Sequence, residues 1–188
     1  GKLSLALPLT EWLSAKASLG KYYRMPSFTE LFGDRGMVRS NPALRPESGL
    51  KFEAGFEGQA QALNLRWQAA LHANDAEDLI IFIPQAGGIV VARNVARARV
   101  MGLEVEADLQ FSKSLSVAGS ASWTHSEDTS GGTNDGYRLP GIPEREAWLG
   151  VRWEPGAWQL SYELTYVGAN EGDRQESPGV RLPARVLH

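Results

Sequence analysis

Residues 103–112 read Leu103-Glu104-Val105-Glu106-Ala107-Asp108-Leu109-Gln110-Phe111-Ser112. In an extended chain, Leu103, Val105, Ala107, Leu109 and Phe111 share one face. Glu104, Glu106, Asp108, Gln110 and Ser112 share the other. A period of two marks a half-buried β-strand; wound into a helix, the same residues would scatter both classes around the cylinder. Across Ser112-Lys113-Ser114 the alternation resumes in Leu115, Val117, Gly119, Ala121 and Trp123. It recurs in 63–72 and 158–166, and less cleanly in 11–23, 48–57 and 145–153. Gly1 to Leu7 already alternate, with no leader segment before them. The expected fold is all-β, with about nine strands, one truncated at each end, and no convincing helix.

The connections select the architecture. Tight turns are expected at Pro8-Leu9-Thr10-Glu11, Glu57-Gly58-Gln59-Ala60, Ser112-Lys113-Ser114 and Glu154-Pro155-Gly156-Ala157. Long polar segments lie between them, at 24–47, about 74–96, 126–142 and 170–182. In an up-and-down meander, alternate connections sit at opposite ends, so every long loop falls on one side. Transmembrane β-barrels are built this way, with short periplasmic turns and long extracellular loops. The apolar face from Met101 to Phe111 would rise about 25 Å when tilted, which matches a barrel's apolar band. Aromatics collect at both ends: Trp12, Phe56, Phe111, Trp153 and Trp158 near the turns, and Tyr22, Tyr23, Trp123 and Tyr166 near the loops. They read as two interfacial girdles, with Trp67 as the mid-strand exception.

Composition supports the same class. No apolar run of about 18 residues exists, so no helix could cross a bilayer, and mean hydropathy is −0.28. The opposite strand face carries Lys16, Lys51, Glu53, Arg66, Glu104, Glu106, Asp108, Arg152 and Glu163. Such charges cannot face lipid and suit the wet lumen of a wide barrel. A net charge of −3 argues against a nucleic-acid partner. No cysteine is present, which removes disulfides and thiolate sites. The last residues, Leu182 to His188, read as the start of another strand that does not end on an aromatic. The chain is therefore expected to be an internal segment of a larger barrel.

The segment Tyr22-Tyr23-Arg24-Met25-Pro26-Ser27-Phe28-Thr29-Glu30-Leu31-Phe32-Gly33 resembles the TonB-dependent outer-membrane receptors. So do Asn41-Pro42-Ala43-Leu44-Arg45-Pro46-Glu47, Phe52-Glu53-Ala54-Gly55, the run from Asn94 through Arg99 into Gly102-Leu103-Glu104-Val105-Glu106, and Leu139-Pro140-Gly141-Ile142-Pro143. The resemblance implies a barrel of about 22 strands closed by an N-terminal plug. It implies a Gram-negative outer-membrane receptor that imports a ferric siderophore, haem or cobalamin with energy relayed by TonB. Neither a plug nor a TonB box lies in these residues. The alternatives are a passive porin or adhesin barrel, and a soluble sandwich or lipocalin-like binding module. Within the first loop, Ser27 and Glu30 form a capping-box pair, which predicts one short helical turn through Phe32, stopped by Gly33.

Candidate ligand residues are Tyr23, Arg24, Phe28, Arg35 and Arg39 in the first loop and Tyr137 and Arg138 in the third. Arg24, Arg35, Arg39 and Arg45 make the first loop basic, which would either attract an anionic chelate or be ordinary solvated charge. Arg97 and Arg99 are expected to point outward at the extracellular rim, toward lipopolysaccharide phosphates or plain solvent. The acidic sets Asp75, Glu77, Asp78 and Glu127, Asp128, Asp135 lack EF-hand spacing. His72, His125 and His188 show no metal spacing. No nucleophile elbow, P-loop or His-Glu-x-x-His occurs. No catalysis, metal or cofactor is expected.

Overall fold

The computed structural model describes residues 1–34, 36–171 and 182–187. Its strands are β1 (Lys2–Pro8), β2 (Leu13–Arg24), β3 (Val38–Arg39), β4 (Glu47–Ala60), β5 (Leu65–Pro84), β6 (Val90–Ser112), β7 (Leu115–Asp128), β8 (Arg145–Trp153), β9 (Leu160–Val167) and β10 (Arg185–Leu187), with one α-helix, α1 (Phe28–Phe32). They form one sheet in the order β1-β2-β4-β5-β6-β7-β8-β9-β10. Every neighbouring pair in that path is antiparallel, while the two-residue β3 runs parallel to β6. The nine strands of the path are the nine read from the alternation. All described strands lie in this one sheet, so the sandwich expectation fails for lack of a second layer. The sheet is open, with β1 and β10 at its edges.

Register turns the alternation into two continuous faces. One row of directly opposed residues runs Leu7, Ala15, Phe56, Ala69, Val105, Ala121, Ala147, Tyr166 from β1 to β9. The adjacent row on the other face runs Ala6, Lys16, Gly55, Ala70, Glu104, Ser122, Glu146, Val167. A slip of one residue anywhere would exchange the two faces, so each pairing is strongly specified. The apolar face is uncovered: Leu5 is 65% and Leu71 58% exposed. On the polar face the charges partner across strands and along them. Lys16 pairs with Glu57, Lys51 with Glu53 at 2.8 Å, and Ser18 donates to Glu53 at 3.2 Å. Gln68 donates to Glu106 at 2.5 Å.

Three expectations need correction. The turn placed at Glu57–Ala60 lies at 61–64, because Gly58 and Gln59 remain in the ladder opposite Trp67 and Arg66. Asn64 makes the turn in the left-handed region (φ 49), which asparagine tolerates well. Trp67 therefore sits just inside the turn, its ring over Gly58, and belongs to the turn-side aromatic belt. Tyr22 leaves the opposite belt. It lies on the polar face, where its hydroxyl accepts a hydrogen bond from Asn74 Nδ2 at 3.2 Å.

The third correction is larger. The segment 74–96 is no loop: β5 and β6 continue through it as a ladder to Pro84 and Val90. Alternation vanishes there because Leu79-Ile80-Ile81-Phe82-Ile83 is apolar on both sides. An apolar run without period marks a strand covered on both faces. Ile80 and Ala92 pack with Leu44 and Leu31, while Ile81 and Val95 pack with Leu139. The molecule's buried core thus sits at the loop end, around this projecting ladder.

Candidate functional site

The long loops and the polar face converge at the loop end, and the first loop is held by several side-chain contacts. Ser27 caps α1 by accepting from the Glu30 N–H at 3.3 Å, and its own N–H donates to Glu30 Oε2 at 2.6 Å. The capping box is present as expected. Gly33 ends the helix at φ 74. A β-carbon there would collide with the Val38 carbonyl, so the turn admits only glycine. Asp34 Oδ1 then accepts from the N–H groups of Val38 and Gly36, both at 2.8 Å. Those two hydrogen bonds hold its carboxyl below the usual range.

Arg24, at the last position of β2, fastens this loop. Its guanidinium reaches both oxygens of Glu30, at 3.2 and 3.0 Å, and Oε2 of Glu47 at 2.9 Å. Both carboxylate side chains are only 7% exposed. Glu47 Oε2 also accepts the Ile80 N–H at 2.9 Å. One arginine therefore ties β2, α1, β4 and β5 together. Burial pushes the Glu30 carboxyl up, but the Ser27 N–H, the Arg24 guanidinium and the Ser27 hydroxyl outweigh it and hold it below the ordinary range.

Farther along, the loop is stitched to the projecting ladder. Asn41 Nδ2 donates to the Ala92 carbonyl at 2.8 Å. Asn94 Oδ1 accepts from the Arg45 N–H, and Nδ2 donates to the Arg45 carbonyl, both at 2.9 Å. The Arg45 guanidinium pairs with Asp78 at 2.5 Å.

The expected ligand residues are dispersed by this geometry. Tyr23 points to the apolar face, opposite in parity to Arg24, and is 67% exposed. Phe28 is exposed on α1, its ring 4.8 Å from that of Phe32. Arg39 lies on β3 opposite Val91, and Arg35 lies outside the described residues. Tyr137 holds the third loop through its carbonyl, which accepts from Asp128 N–H at 2.8 Å. Arg138 pairs with Glu144 at 2.9 Å and lies 3.5 Å from His125 Nδ1. Arg97 and Arg99 are on the apolar face's side, above the band, as expected from their parity with Leu103. Arg99 pairs with Asp75 at 2.6 Å, and Arg97 is opposite Glu77. No group of three or more metal-ligating side chains gathers among the described residues.

Two features escaped the sequence. Glu47 as the second partner of Arg24 had no local signal, since the pair is brought together only by the β2–β4 register. On the polar face, three rings lie over glycines: Tyr22 on Gly49, His72 on Gly102 and Trp148 on Gly150. Each sits where a β-carbon would come within 2.7 Å of ring atoms.

The family model for the TonB dependent receptor-like beta-barrel matches residues 1–188. The chain belongs to this family. Among curated proteins, the ferric-pyoverdine 358 receptor of Pseudomonas putida is 30% identical over 141 residues, covering 71% of this chain and 16% of that protein. The copper transporter OprC superposes with a TM-score of 0.72 at 22% identity, covering 99% of this chain and 29% of that one. The ferric enterobactin receptor PfeA of Pseudomonas aeruginosa gives 0.70 at 20% identity, covering 98% and 31%. The ferric yersiniabactin uptake receptor FyuA of Yersinia pestis gives 0.70 at 18%, covering 98% and 28%. These structures share the fold, and the chain spans less than a third of each. The TonB-dependent receptor barrel also orients the molecule: tight turns face the periplasm, and long loops with the projecting ladder face outward.

Proposed function

We propose that this chain is a wall segment of a receptor in the Gram-negative outer membrane that binds a scarce nutrient of the ferric-siderophore, haem or cobalamin class. The receptor imports it with TonB-relayed energy and performs no bond chemistry. TonB would act through a plug domain outside residues 1–188. The observation that carries this reading is the family match along the whole chain. A polar, ion-paired inner face beneath an ordered set of outer loops suits that role. At the rim, Arg97 and Arg99 would meet lipopolysaccharide phosphates, since they follow directly above the apolar band and arginine pairs well with phosphate.

The test is growth. Cells carrying the full-length receptor as their sole route for a given nutrient should grow on it only with functional TonB. Growth that survives loss of TonB would instead make this a passive pore. A parallel measurement on Arg97→Gln with Arg99→Gln should show reduced lipopolysaccharide co-purifying with the receptor; unchanged lipid would remove the rim contact from the proposal.

A further inference from the structure

Strands that complete the barrel join this wall at its edges, β1 and β10. They leave the outward face of the middle strands turned to lipid. On that face the first ionisable residue above the apolar band steps down from strand to strand. It is Arg99 on β6, His125 on β7 and Arg145 on β8. Glu127 opposes Arg99, Met101 opposes His125 and Trp123 opposes Arg145, so each step is two residues of register. A level membrane surface crosses tilted strands along such a diagonal.

The three differ in the charge they have left to offer. Arg99 is held by Asp75 at 2.6 Å, and His125 lies 3.4 Å from Glu127. Arg145 is exposed and makes no ion pair among the described residues. Beneath it the outward face holds a groove with apolar walls. Leu71, Leu103 and Trp123 line it, and the small Ala73, directly opposed to Phe52 and Met101, gives it depth. Arg138 and Arg145 lie at its upper end. A cation at the membrane surface above an apolar groove is complementary to a phosphate carried over an acyl chain. The phosphate would accept charge-assisted hydrogen bonds from the guanidinium. The chain would gain dispersion contacts along the groove. The groove opens toward the loop end, which faces outward, and the phosphate-bearing lipid of that leaflet is lipopolysaccharide.

We propose, on the outer-membrane receptor reading above, that this groove is a lipopolysaccharide site, with a lipid phosphate on Arg145 and an acyl chain against Ala73 and Leu103. It is a separate contact from the one at Arg97 and Arg99. Arg145 carries it because its guanidinium is not already engaged by an acid, as that of Arg99 is.

The experiment is a lipid titration of the full-length receptor in mild detergent, read by native mass spectrometry. The probes are lipopolysaccharide, the same lipid stripped of its phosphates, and phosphatidylglycerol. Arg145→Gln should weaken lipopolysaccharide binding by about tenfold, the loss of one charge-assisted contact, with unchanged mobility of the folded barrel on unheated gels. Arg145→Lys should restore part of it, since an ammonium lacks the planar fork. Arg152→Gln, on the same strand but facing the lumen, should bind as the parent does. Ala73→Phe should also weaken binding, by filling the groove. The stripped lipid should bind the parent and Arg145→Gln alike. Undiminished affinity in Arg145→Gln overturns the proposal, as does an equal loss in Arg152→Gln. Equal or tighter binding of phosphatidylglycerol overturns it too. The titration reads this site alone. Growth of the parent with and without TonB reads the receptor function, so either can fail while the other stands.

Discussion

Arg24 is the residue whose role changed most between sequence and structure. By position and charge it reads as a ligand contact, but its guanidinium is engaged by Glu30 and Glu47. Removing it leaves two carboxylates, each 7% exposed, without their cation. Breaking a buried pair typically costs 3–5 kcal/mol. Because Arg24 is itself 40% exposed, Arg24→Ala should destabilise the loop anchor by about 3 kcal/mol. Accelerated proteolysis between residues 25 and 46 would report it; unchanged cleavage would show that the clasp contributes little. Arg24→Lys should rescue only partly, since an ammonium cannot bridge both acids with a planar fork. Acid acts on the same clasp. The Glu30 carboxyl is held below its ordinary value in the fold, so its contribution is complete above the unfolded value of about 4.3. It disappears as pH falls through the lower folded value. Loop protection should therefore persist through mildly acidic buffer and fail only in stronger acid; loss near neutrality would contradict this. Glu30 was legible through its capping box with Ser27, a local pattern. Glu47 was not, because its partner lies on the neighbouring strand.

The strands were legible wherever one face was wet. The run 103–112 shows its strand character, its faces and its turn at Lys113 without any structure, because lipid-facing and lumen-facing residues must alternate. The same logic fails at Leu79-Ile80-Ile81-Phe82-Ile83, where loops cover both faces and no alternation survives. It also misplaced the turn near Gly58. Small polar residues there resemble a turn, but the glycine is needed for Trp67 to lie across it. Two predictions belong to this scale. Val105→Arg puts a charge at the middle of the apolar row and should cost about 2–4 kcal/mol in a bilayer, whereas Glu104→Arg, one residue away on the polar face, should be far milder. Equal losses in refolding into lipid vesicles would refute the assignment of faces. Asn94→Ala removes the hydrogen bonds to both Arg45 backbone groups and to the Asp78 carbonyl. Hydrogen exchange at Arg45 should then rise together with exchange along the projecting ladder; a rise confined to residue 45 would show the two are not joined.

At the scale of the molecule, the open sheet has an apolar face with no protein cover and two unpaired edge strands. Residues 1–188 produced alone should aggregate in plain buffer and acquire β-structure in detergent, as read by circular dichroism. A monomeric fold in buffer would contradict the membrane reading of the apolar row. The class of the fold was legible at this scale because tight turns alternate with long outward segments, one of them a projecting ladder, and the outer loops' ligand chemistry was not, because arginine charge depends on partners that only tertiary register supplies. The rings packed on glycines of the polar face have a consequence for traffic through the lumen. Tyr22, His72 and Trp148 are aromatic side chains on that wall, and each packs its ring against a glycine. A ring laid along the wall takes less of the channel's cross-section than one pointing into it. At Gly49 and Gly102 an added β-carbon would also meet the Asp75 and Trp123 carbonyls, but at Gly150 it would meet the Trp148 ring alone; alanine there would lift that ring, so that one methyl group on the wall narrows the passage by the reach of an aromatic side chain.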